Sequence, residues 1–376
     1  MTTTTETALQ QRIGLALQTF PAVMLAGPHQ SGRTTLAKQL LEAQRGTYFD
    51  LADPECPLLS SDAGTTLRPL TGLVVIDNSE RRPKITEMVR LLTLRDPVPA
   101  RFLLLSGVAP ELLGEHDVLG EHGVLLPTGG LTLAEVGPQH WRTLWTRGRL
   151  PRSFYAENDD AAHHWRSNFM QELLERYVPQ LGVRTPAITL RRFWQLLAQH
   201  HGQPLNASAL ARVMNARQDT VRRYLEILTG MFMVRLLPPW LDVTTRKRLV
   251  KAPVMYVRDS GLLHSLLGLR TFDAVAGHPD AAWAWKGFAL EETLCRLGDD
   301  RDVYFYKTHA GASLDLLVLR QGKRVGFEFS HEAAPRTTKS MRAVIKDLQL
   351  DRLYIVYPGA HPHTLDKNIV AVPIGS

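Results

Sequence analysis

The hydrophobic residues in the first hundred positions form short continuous runs that alternate with segments of helical spacing. Runs of this length between turn residues are typical of strands buried on both faces of a parallel sheet, and they are Val23–Ala26, Leu73–Ile76 and Phe102–Leu105. Segments 7–19 and 84–94 carry apolar residues at the spacing of an amphipathic helix, and a shorter strand is expected at 47–51. This alternation predicts a parallel α/β sheet in the N-terminal part of the chain.

The middle of the chain changes to closely spaced helices. Pro179, Gly182 and Pro186 interrupt the chain after a helix predicted over 160–178, and we expect a domain boundary there. Beyond it we expect three helices and then a strand, at 189–201, 207–215, 220–230 and 231–236. Helices joined by a short turn and followed by a strand are typical of a winged helix-turn-helix, which either contacts nucleic acid or only packs domains together.

The last third begins with the helix-like segment Trp285–Leu294 and then becomes rich in strands. Strands are expected at 303–307, 314–320 and 325–330, followed by a helix at 337–347 and strands at 353–357 and 369–374. The order of helix, three strands, helix and strand is the core order of the PD-(D/E)XK nuclease fold. The sequence therefore predicts an α/β protein with an N-terminal parallel-sheet domain, a winged-helix domain and a nuclease-like domain, at 1–180, 186–258 and 259–376.

A glycine-bounded loop connects the first predicted strand to the helix after it. In this context the pattern G-x-x-x-x-G-K-[ST] binds phosphate, because loop amides and the helix N-terminus surround the anion. Thr34 occupies the position of the Mg²⁺-binding hydroxyl, whereas Arg33 replaces the lysine with a bulkier group that lacks the same point charge. The residues predicted to bind nucleotide are Gly27, Pro28, His29, Gln30, Ser31, Gly32, Arg33, Thr34 and Thr35.

Two later strands end in polar residues that would face the same edge of the sheet. Asp77 follows Leu73–Ile76 and is predicted to hold Mg²⁺ through water together with Thr34; the alternative is a plain buried strand that ends in a turn. Asn78 stands where many P-loop enzymes have a glutamate that polarises water, and an amide cannot accept that proton. Ser106 either faces the phosphates or is an ordinary hydroxyl at the end of a strand. The expected ligands are ATP or ADP with Mg²⁺, and the expected catalytic set is Asp77, Arg33 and Asn78.

Composition limits the class of protein. The chain has 376 residues, of which 44% are hydrophobic and 22% charged, and these values are ordinary for a globular protein. Its two cysteines, Cys56 and Cys295, lie far apart without metal-ligand spacing, which favours a reducing compartment. The sequence shows neither a signal-peptide pattern nor an apolar run of bilayer length, so we expect a cytoplasmic protein with no membrane partner.

Basic residues are concentrated in the window 217–258, whose nine basic and three acidic residues account for most of the net charge of +7. We predict contact with nucleic acid through this window, at phosphates or base edges. The residues predicted to make this contact are Arg217, Arg222, Arg223, Arg246, Lys247 and Arg248. A protein partner is the alternative, and the oligomeric state stays open.

Two carboxylates of the last third stand where a nuclease of the predicted fold binds metal. Asp315 and Glu328 lie in neighbouring predicted strands. Such a site also needs a lysine two residues after Glu328, on the same face of the sheet, and the chain has Ser330 there. The pair could bind a divalent metal, or it could be two carboxylates at a solvated sheet edge.

With these motifs in place, the chain resembles prokaryotic AAA-type P-loop ATPases that carry a C-terminal domain of unknown function. The similarity extends over nearly the whole chain, in stretches such as GPHQSGRTTLA, LVVIDNSERRP, RFLLLSG, TVRRYLEIL, YVRDSGLLH and WKGFALEE. The resemblance implies an ATP-binding protein. It also implies that Glu291 belongs with Asp315 and Glu328, because Glu291 matches the glutamate of a Gly-Phe-x-x-Glu helix in that family.

The departures from the family pattern fall on catalytic positions. They are Arg33 for lysine, Asn78 for the second acid, Glu121-His122 for a Gly-Arg pair, and serines at 313 and 330 in the nuclease motifs. Each lost electrostatic group is worth about 10²–10³ in rate, so a pseudoenzyme that acts as a nucleotide-dependent switch or scaffold is the main hypothesis. One alternative is an active ATPase that uses Arg33 in place of lysine. Another is a metal-dependent nuclease that uses Glu291, Asp315 and Glu328, with Lys307 or another base.

Overall fold

The computed structural model describes residues 8–44, 46–60, 62–114, 119–241, 247–298 and 300–376. They form two compact units. The first is drawn from 1–131, 175–184 and 230–232, and the second from 132–174, 185–229 and 233–376. The chain therefore leaves the first unit and returns to it twice. The sequence predicted three domains, in the sense of parts that fold separately, and that division stays a prediction.

The first unit is built on a parallel sheet whose strands are β1 (Ala22–Ala26), β2 (Gly46–Asp50), β3 (Gly72–Asp77), β4 (Ala100–Ser106) and β5 (Gly123–Pro127). The strand order is β2-β3-β4-β1-β5, and every neighbouring pair is parallel. The predicted N-terminal parallel sheet is confirmed. Strand β5 was not predicted, because its apolar run is short and its residues are only partly buried or exposed.

Helices pack against this sheet, and they are α1 (Ala8–Thr19), α2 (Arg33–Gln44), α3 (Ala63–Leu67) and α4 (Pro83–Thr93). Successive side chains of a strand point to opposite faces, so Met24 and Ile76 belong to one buried apolar cluster while Leu25 and Val75 belong to another. With both faces covered, the polar ends of β1, β3 and β4 can meet ligands only at the carboxyl edge of the sheet.

The second unit begins with short helices, and α9 lies in a segment that returns to the first unit. In chain order the helices are α5 (Leu133–Val136), α6 (Trp141–Arg147), α7 (Pro151–Phe154), α8 (Asp159–Glu172), α9 (Val178–Gln180), α10 (Ala187–Ala198), α11 (Ala207–Met214), α12 (Gln218–Gly230), α13 (Ser260–Leu266), α14 (Phe272–Ala276), α15 (Ala281–Leu297) and α16 (Lys339–Leu348). None of the helices in the described ranges is long and apolar enough to cross a membrane.

A small antiparallel sheet accompanies α10, α11 and α12. Its strands are β6 (Gln203–Pro204), β7 (Val234–Leu237) and β8 (Val254–Val257), in the order β6-β8-β7. The strand predicted at 231–236 begins later than expected, because Phe232 adopts a left-handed φ of 62° and the chain turns there.

A six-stranded mixed sheet completes the second unit. Its strands are β9 (Val303–Lys307), β10 (Ser313–Arg320), β11 (Lys323–Phe329), β12 (Arg352–Tyr357), β13 (His363–Asp366) and β14 (Ile369–Pro373). Their order is β13-β14-β12-β11-β10-β9, with antiparallel pairing from β9 to β11 and parallel pairing from β11 through β12 to β14. The expected helix, three strands, helix and strand occur in this order, and their relation to a nuclease fold stays an interpretation.

Candidate functional site

The loop between β1 and α2 begins where the carboxyl ends of neighbouring strands meet. The backbone N–H of Gly27 donates to the carbonyl of Ser106 (3.1 Å), and that of Thr128 donates to the carbonyl of Ala26 (2.8 Å). A Cβ at Gly27 would lie 2.3 Å from the carbonyl oxygen of Thr128, so a larger residue does not fit there. Gly32 closes the loop with a left-handed φ of 97°. The structure thus has a tight glycine-bounded turn between strand and helix.

Arg33, at the position of the expected lysine, is turned into the protein. Its side chain is buried, and its Nη1 donates to the carbonyl oxygens of Gly27 and Ser106. Burial lowers the pKa of the guanidinium while Glu80 and Asp77 oppose the shift, and an arginine stays charged at neutral pH. The positive charge is therefore fixed at the base of the loop, and contact between Arg33 and phosphate stays a prediction.

Thr34 and Asp77 are brought into direct contact. The Thr34 hydroxyl donates to Asp77 Oδ2 (2.6 Å), the Tyr48 hydroxyl donates to the same oxygen (2.8 Å), and the backbone N–H of Asn78 donates to Oδ1 (2.8 Å). Burial raises the pKa of Tyr48, and the negative charge of Asp77 raises it further. All three donors are neutral, so none of them cancels the charge of the Asp77 carboxylate.

Asn78 and Ser106, which are also predicted at the edge of the sheet, make hydrogen bonds with neighbouring residues. The Asn78 backbone is left-handed, with φ 56°, and its side-chain amide donates to Asp50 Oδ1 (2.8 Å). The Ser106 hydroxyl donates to the carbonyl of Val108 (2.6 Å). Thr35 lies exposed in the first turn of α2. The structure therefore brings Thr34 to Asp77 but turns Asn78 and Ser106 to other partners.

The centre of the loop is largely buried. Pro28 and His29 are buried, and Gln30 has a left-handed φ of 59°. Ser31 Oγ is buried and has no hydrogen-bond partner among the described residues. The His29 ring stacks on Tyr177, with ring centroids 4.1 Å apart and planes inclined by 24°. Burial, together with two nearby arginines, lowers the pKa of His29 to about 3, so this imidazole is neutral at physiological pH.

Glu80 is a site residue that the motifs did not reveal. It lies in the one-turn helix Ser79–Arg81 directly after β3, and its side chain is buried. Oε1 lies 3.9 Å from His29 Nε2, and Oε2 has no hydrogen-bond partner among the described residues. Burial raises the pKa of Glu80, and the charge of Arg33 opposes that rise. The available signal in the sequence was an acidic residue three positions after Asp77.

A pocket of about 180 Å³ lies beside Glu80 in the first unit. The segment 175–184 contributes part of its wall, and the Arg81 guanidinium donates to Gln180 Oε1 (3.1 Å) there. The lining includes His29, Asn78, Glu80, Arg81, Arg176 and Tyr177. The pocket thus joins the glycine-bounded loop, the turn after β3 and a segment that is distant in sequence.

In the second unit, Glu291 is held between two arginines. Arg235 Nη2 donates to Glu291 Oε2 (3.2 Å), and Arg258 Nη2 donates to the same oxygen (3.1 Å). Burial alone would raise the pKa of Glu291, but the two guanidiniums outweigh it and lower the pKa to about 2. Glu291 is therefore a neutralised buried carboxylate.

Asp315 on β10 and Glu328 on β11 lie close together, as expected from their neighbouring predicted strands. Lys286 lies beside them. Lys286 Nζ donates to Asp315 Oδ1 (2.6 Å), and the backbone N–H of Phe329 donates to Oδ2 (3.0 Å). Burial and the neighbouring charge of Asp315 raise the pKa of Glu328 well above its ordinary value. Within the described ranges, no group of three or more His, Cys, Asp or Glu side chains is arranged to hold a metal ion.

The basic residues predicted to contact nucleic acid differ in their surroundings. Arg222 and Arg223 are exposed on α12, and Arg222 is 3.5 Å from Asp219. Arg217 is exposed and lines an open cleft of about 680 Å³ at the start of that helix. Lys247 is paired with Asp347, Arg248 is exposed, and Arg246 lies outside the described residues.

Two solved structures of low sequence identity align with part of this chain. A Walker-type ATPase of Pyrococcus abyssi is 12% identical, covers 69% of this chain and 94% of its own, and has a TM-score of 0.46. The Orc1 protein of Aeropyrum pernix, solved in complex with DNA, is 12% identical, covers 69% of this chain and 91% of its own, and has a TM-score of 0.32. Both scores describe weak overall similarity.

Comparison of sequences is more specific. Residues 138–273 match a domain of unknown function, DUF8612, and residues 284–376 match a second one, DUF4143. Two mycobacterial proteins, Mb2031c of Mycobacterium bovis and Rv2008c of Mycobacterium tuberculosis, are each 39% identical over 363 residues, which is 96% of this chain and 82% of theirs. Both are described as uncharacterized proteins. The chain belongs to the same protein family as Rv2008c and Mb2031c.

Proposed function

We propose that the first unit binds an adenine nucleotide, ATP or ADP, together with Mg²⁺. The observation that carries this proposal is the 2.6 Å contact between the Thr34 hydroxyl and the Asp77 carboxylate beside the glycine-bounded loop. Thr34 lies in the first turn of α2 and Asp77 ends β3, so the contact is at the edge of the sheet where α/β folds bind ligands. The N–H groups of a loop and a helix N-terminus favour phosphate at this place.

The residues present fit such a ligand. Thr34 and Asp77 supply the hard oxygen atoms that Mg²⁺ prefers, and the ion would supply positive charge next to the phosphates. Ser31 Oγ is buried without a partner among the described residues, and a phosphate oxygen would provide one. Arg33 would contribute by holding the loop closed on β4 rather than by extending a charge into the site.

We further propose that hydrolysis is slow and that the nucleotide acts as a switch or scaffold ligand. The guanidinium of Arg33 donates hydrogen bonds to two backbone carbonyls, and the side-chain amide of Asn78 donates one to Asp50. Each missing electrostatic group costs about 10²–10³ in rate. Backbone amides still supply much of the cradle, so affinity survives better than turnover.

Calorimetric titration with ATP and ADP, with and without Mg²⁺, tests the proposal. We expect saturable binding that Mg²⁺ strengthens, and an unchanged isotherm for Asp219→Asn, a control at an exposed carboxylate. Arg33→Lys should increase the affinity for ATP relative to ADP, because an ammonium reaches the terminal phosphates. Absence of binding at millimolar nucleotide would contradict the proposal. Loss of turnover in Arg33→Ala, from a fast wild type, would instead support the active ATPase.

Nucleic-acid contact through α12 is a second candidate function. Helices α10–α12 with the antiparallel strands β6–β8 are consistent with the predicted winged helix-turn-helix, and Arg222 and Arg223 are exposed on α12. Exposed arginines on such a helix can neutralise phosphates and so make binding dependent on salt. We propose that α12 makes this contact.

Fluorescence anisotropy with duplex DNA at a series of salt concentrations tests it. The double variant Arg222→Ala/Arg223→Ala should weaken binding and reduce the slope of log K against log salt by about 2, roughly 1 per phosphate contact. Arg90→Ala removes an exposed arginine from α4 and should leave the slope unchanged. If the double variant binds as the wild type does, α12 is not the contact.

A further inference from the structure

The pocket of the first unit contains a buried carboxylate oxygen that nothing in the described structure satisfies. Glu80 is buried, its Oε2 lacks a hydrogen-bond partner among the described residues, and its side chain lines the pocket of about 180 Å³. Leaving a buried acceptor unpaired costs about 1–3 kcal/mol. A pocket of this volume has room for water molecules, which would donate to that oxygen.

The surroundings of Glu80 place it at the phosphate loop. Its Oε1 is 3.9 Å from Nε2 of His29, a residue of the loop itself. The backbone N–H of Gly107, just after β4, donates to the carboxylate and fixes its position. A Cβ at Gly107 would lie 2.5 Å from the His29 ring and 2.9 Å from Glu80 Oε1. The turn after β4 therefore has room for the carboxylate only because residue 107 is glycine.

Asn78 follows Asp77 directly, but its side chain cannot take a proton from water. Asn78 has an amide that accepts no proton, and that amide is directed to Asp50. Glu80 lies two residues later and lines the same pocket as Asn78. The neighbouring His29 is neutral and is held by its stack on Tyr177, so it adds no competing charge beside the carboxylate.

We propose that Glu80 is the catalytic base for slow hydrolysis of the nucleotide bound at the Thr34–Asp77 site, with the attacking water in the pocket beside His29. This inference rests on the proposed nucleotide-binding function. The water oxygen forms a bond to the γ-phosphorus, and the bond from that phosphorus to the β–γ bridging oxygen breaks. The bridging oxygen leaves on ADP with the electron pair, and the water proton passes to Glu80 Oε2 and then to solvent. The products are ADP and inorganic phosphate.

The test measures binding and turnover on the same samples. Single-turnover phosphate release from ATP should fall about 10²–10⁴-fold in Glu80→Gln, the usual contribution of a general base, while the Kd values for ATP and ADP stay within about twofold of the wild type. Glu87→Gln, at an exposed glutamate of α4, should leave both quantities unchanged. Gly107→Ala keeps the charge but displaces Glu80 and His29, and should also lose release.

The outcomes separate this inference from the proposal on which it rests. Wild-type release in Glu80→Gln would overturn the role of Glu80, as would a wild-type protein that binds nucleotide but releases no phosphate. If Glu80→Gln loses nucleotide affinity together with release, Glu80 is a binding residue and the inference is wrong. If the wild type binds no nucleotide, the proposed function itself fails and this inference fails with it.

Discussion

The carboxylates of the two units differ in the groups that surround them. Asp77 in the first unit receives two hydroxyls and a backbone N–H, all of them neutral. Glu291 in the second unit receives two guanidiniums. A carboxylate with neutral donors keeps a charge that a cation can neutralise, whereas one between two arginines is already neutralised. Equally buried acidic residues can therefore serve a ligand in one place and internal stability in another.

Asp315 lies between these extremes. One of its oxygens binds Lys286 and the other binds a backbone N–H, while the pKa of the adjacent Glu328 is raised by burial and by Asp315. Lys286 neutralises negative charge of Asp315 that would otherwise attract a metal ion. This arrangement favours a metal-dependent nuclease less than a nucleotide-binding protein, and variants at the three carboxylates test how the charges differ.

The largest effect is expected for Glu291→Gln. It removes the buried carboxylate that Arg235 and Arg258 share, while Arg235 keeps its contact with Asp300, and loss of one member of a buried pair typically costs about 3–5 kcal/mol of the free energy of unfolding. Chemical denaturation measures the loss, and Glu226→Gln at an exposed position of α12 is the control, with a change within about 0.5 kcal/mol. A stable Glu291→Gln protein would show that this carboxylate is free for another role.

The contact of Glu291 with Arg235 and Arg258 also predicts how the free energy of unfolding depends on pH. The pKa of Glu291 is lowered from 4.5 to about 2 in the folded protein by the two arginines, against the effect of burial. Its contribution is therefore complete above pH 4.5 and is lost as the pH falls toward 2. Denaturation of the wild type and of Glu291→Gln between these values should converge at the acid end. Parallel curves would contradict the assignment.

A smaller effect, on ligand affinity, is expected for Asp77→Asn. Loss of the charge should reduce the Mg²⁺-dependent part of nucleotide affinity about 10–100-fold, the usual effect of removing a group that orients a metal or its water. Affinity measured without Mg²⁺ should change little. An equal loss with and without Mg²⁺ would place Asp77 in contact with the nucleotide rather than with the ion.

Thr34→Val tests the other partner of the Asp77 contact. It removes one hydrogen bond, worth about 1 kcal/mol, so Mg²⁺–nucleotide affinity should fall roughly fivefold. Thr34→Ser keeps the hydroxyl and should bind within about twofold of the wild type. Calorimetric titration measures both, and a larger loss in Thr34→Ser than in Thr34→Val would point to the methyl group instead of the hydroxyl.

The smallest effect is expected for Asp315→Asn. The variant breaks the largely buried pair with Lys286, but it also removes a charge that repels Glu328 and raises its pKa, so we expect a net loss of about 1 kcal/mol of unfolding free energy. Asp366→Asn, which removes a more exposed pair with Arg342, is the matched control. Mn²⁺ that raised the unfolding temperature of the wild type but not of Asp315→Asn would break the comparison in favour of a metal site.

Local patterns were enough to predict four of the five strands of the parallel sheet and to place Thr34 and Asp77 at one edge of it. The runs that became β1, β3 and β4 are continuous and apolar because both of their faces are buried, and the contact between Thr34 and Asp77 follows from parallel strands that end at one edge. The direction of the Arg33 side chain could not be predicted, because it depends on backbone carbonyls from the loop itself and from the end of β4.

Glu80 was not predicted as a site residue for a similar reason. Its role depends on proximity to His29 and Gly107, and these positions meet only after the strands have paired. Tyr177 carries no motif at all, yet it stacks on the loop from a segment far along the chain. Hydrophobic periodicity reports which face of an element is buried, and it contains no information about which distant side chain covers it.

The return of the chain to the first unit sets an order of events on the ribosome. The backbone N–H of Ala109 donates to the carbonyl of Gly230 (2.7 Å), and Phe232 packs on the apolar cluster beneath β1 and β3. These contacts cannot form until residue 232 has been synthesised, so the glycine-bounded loop is translated early but its unit is finished late. A truncated gene product that stopped near Leu131 would lack the contact of Phe232 with that apolar cluster and would leave His29 without its aromatic cover.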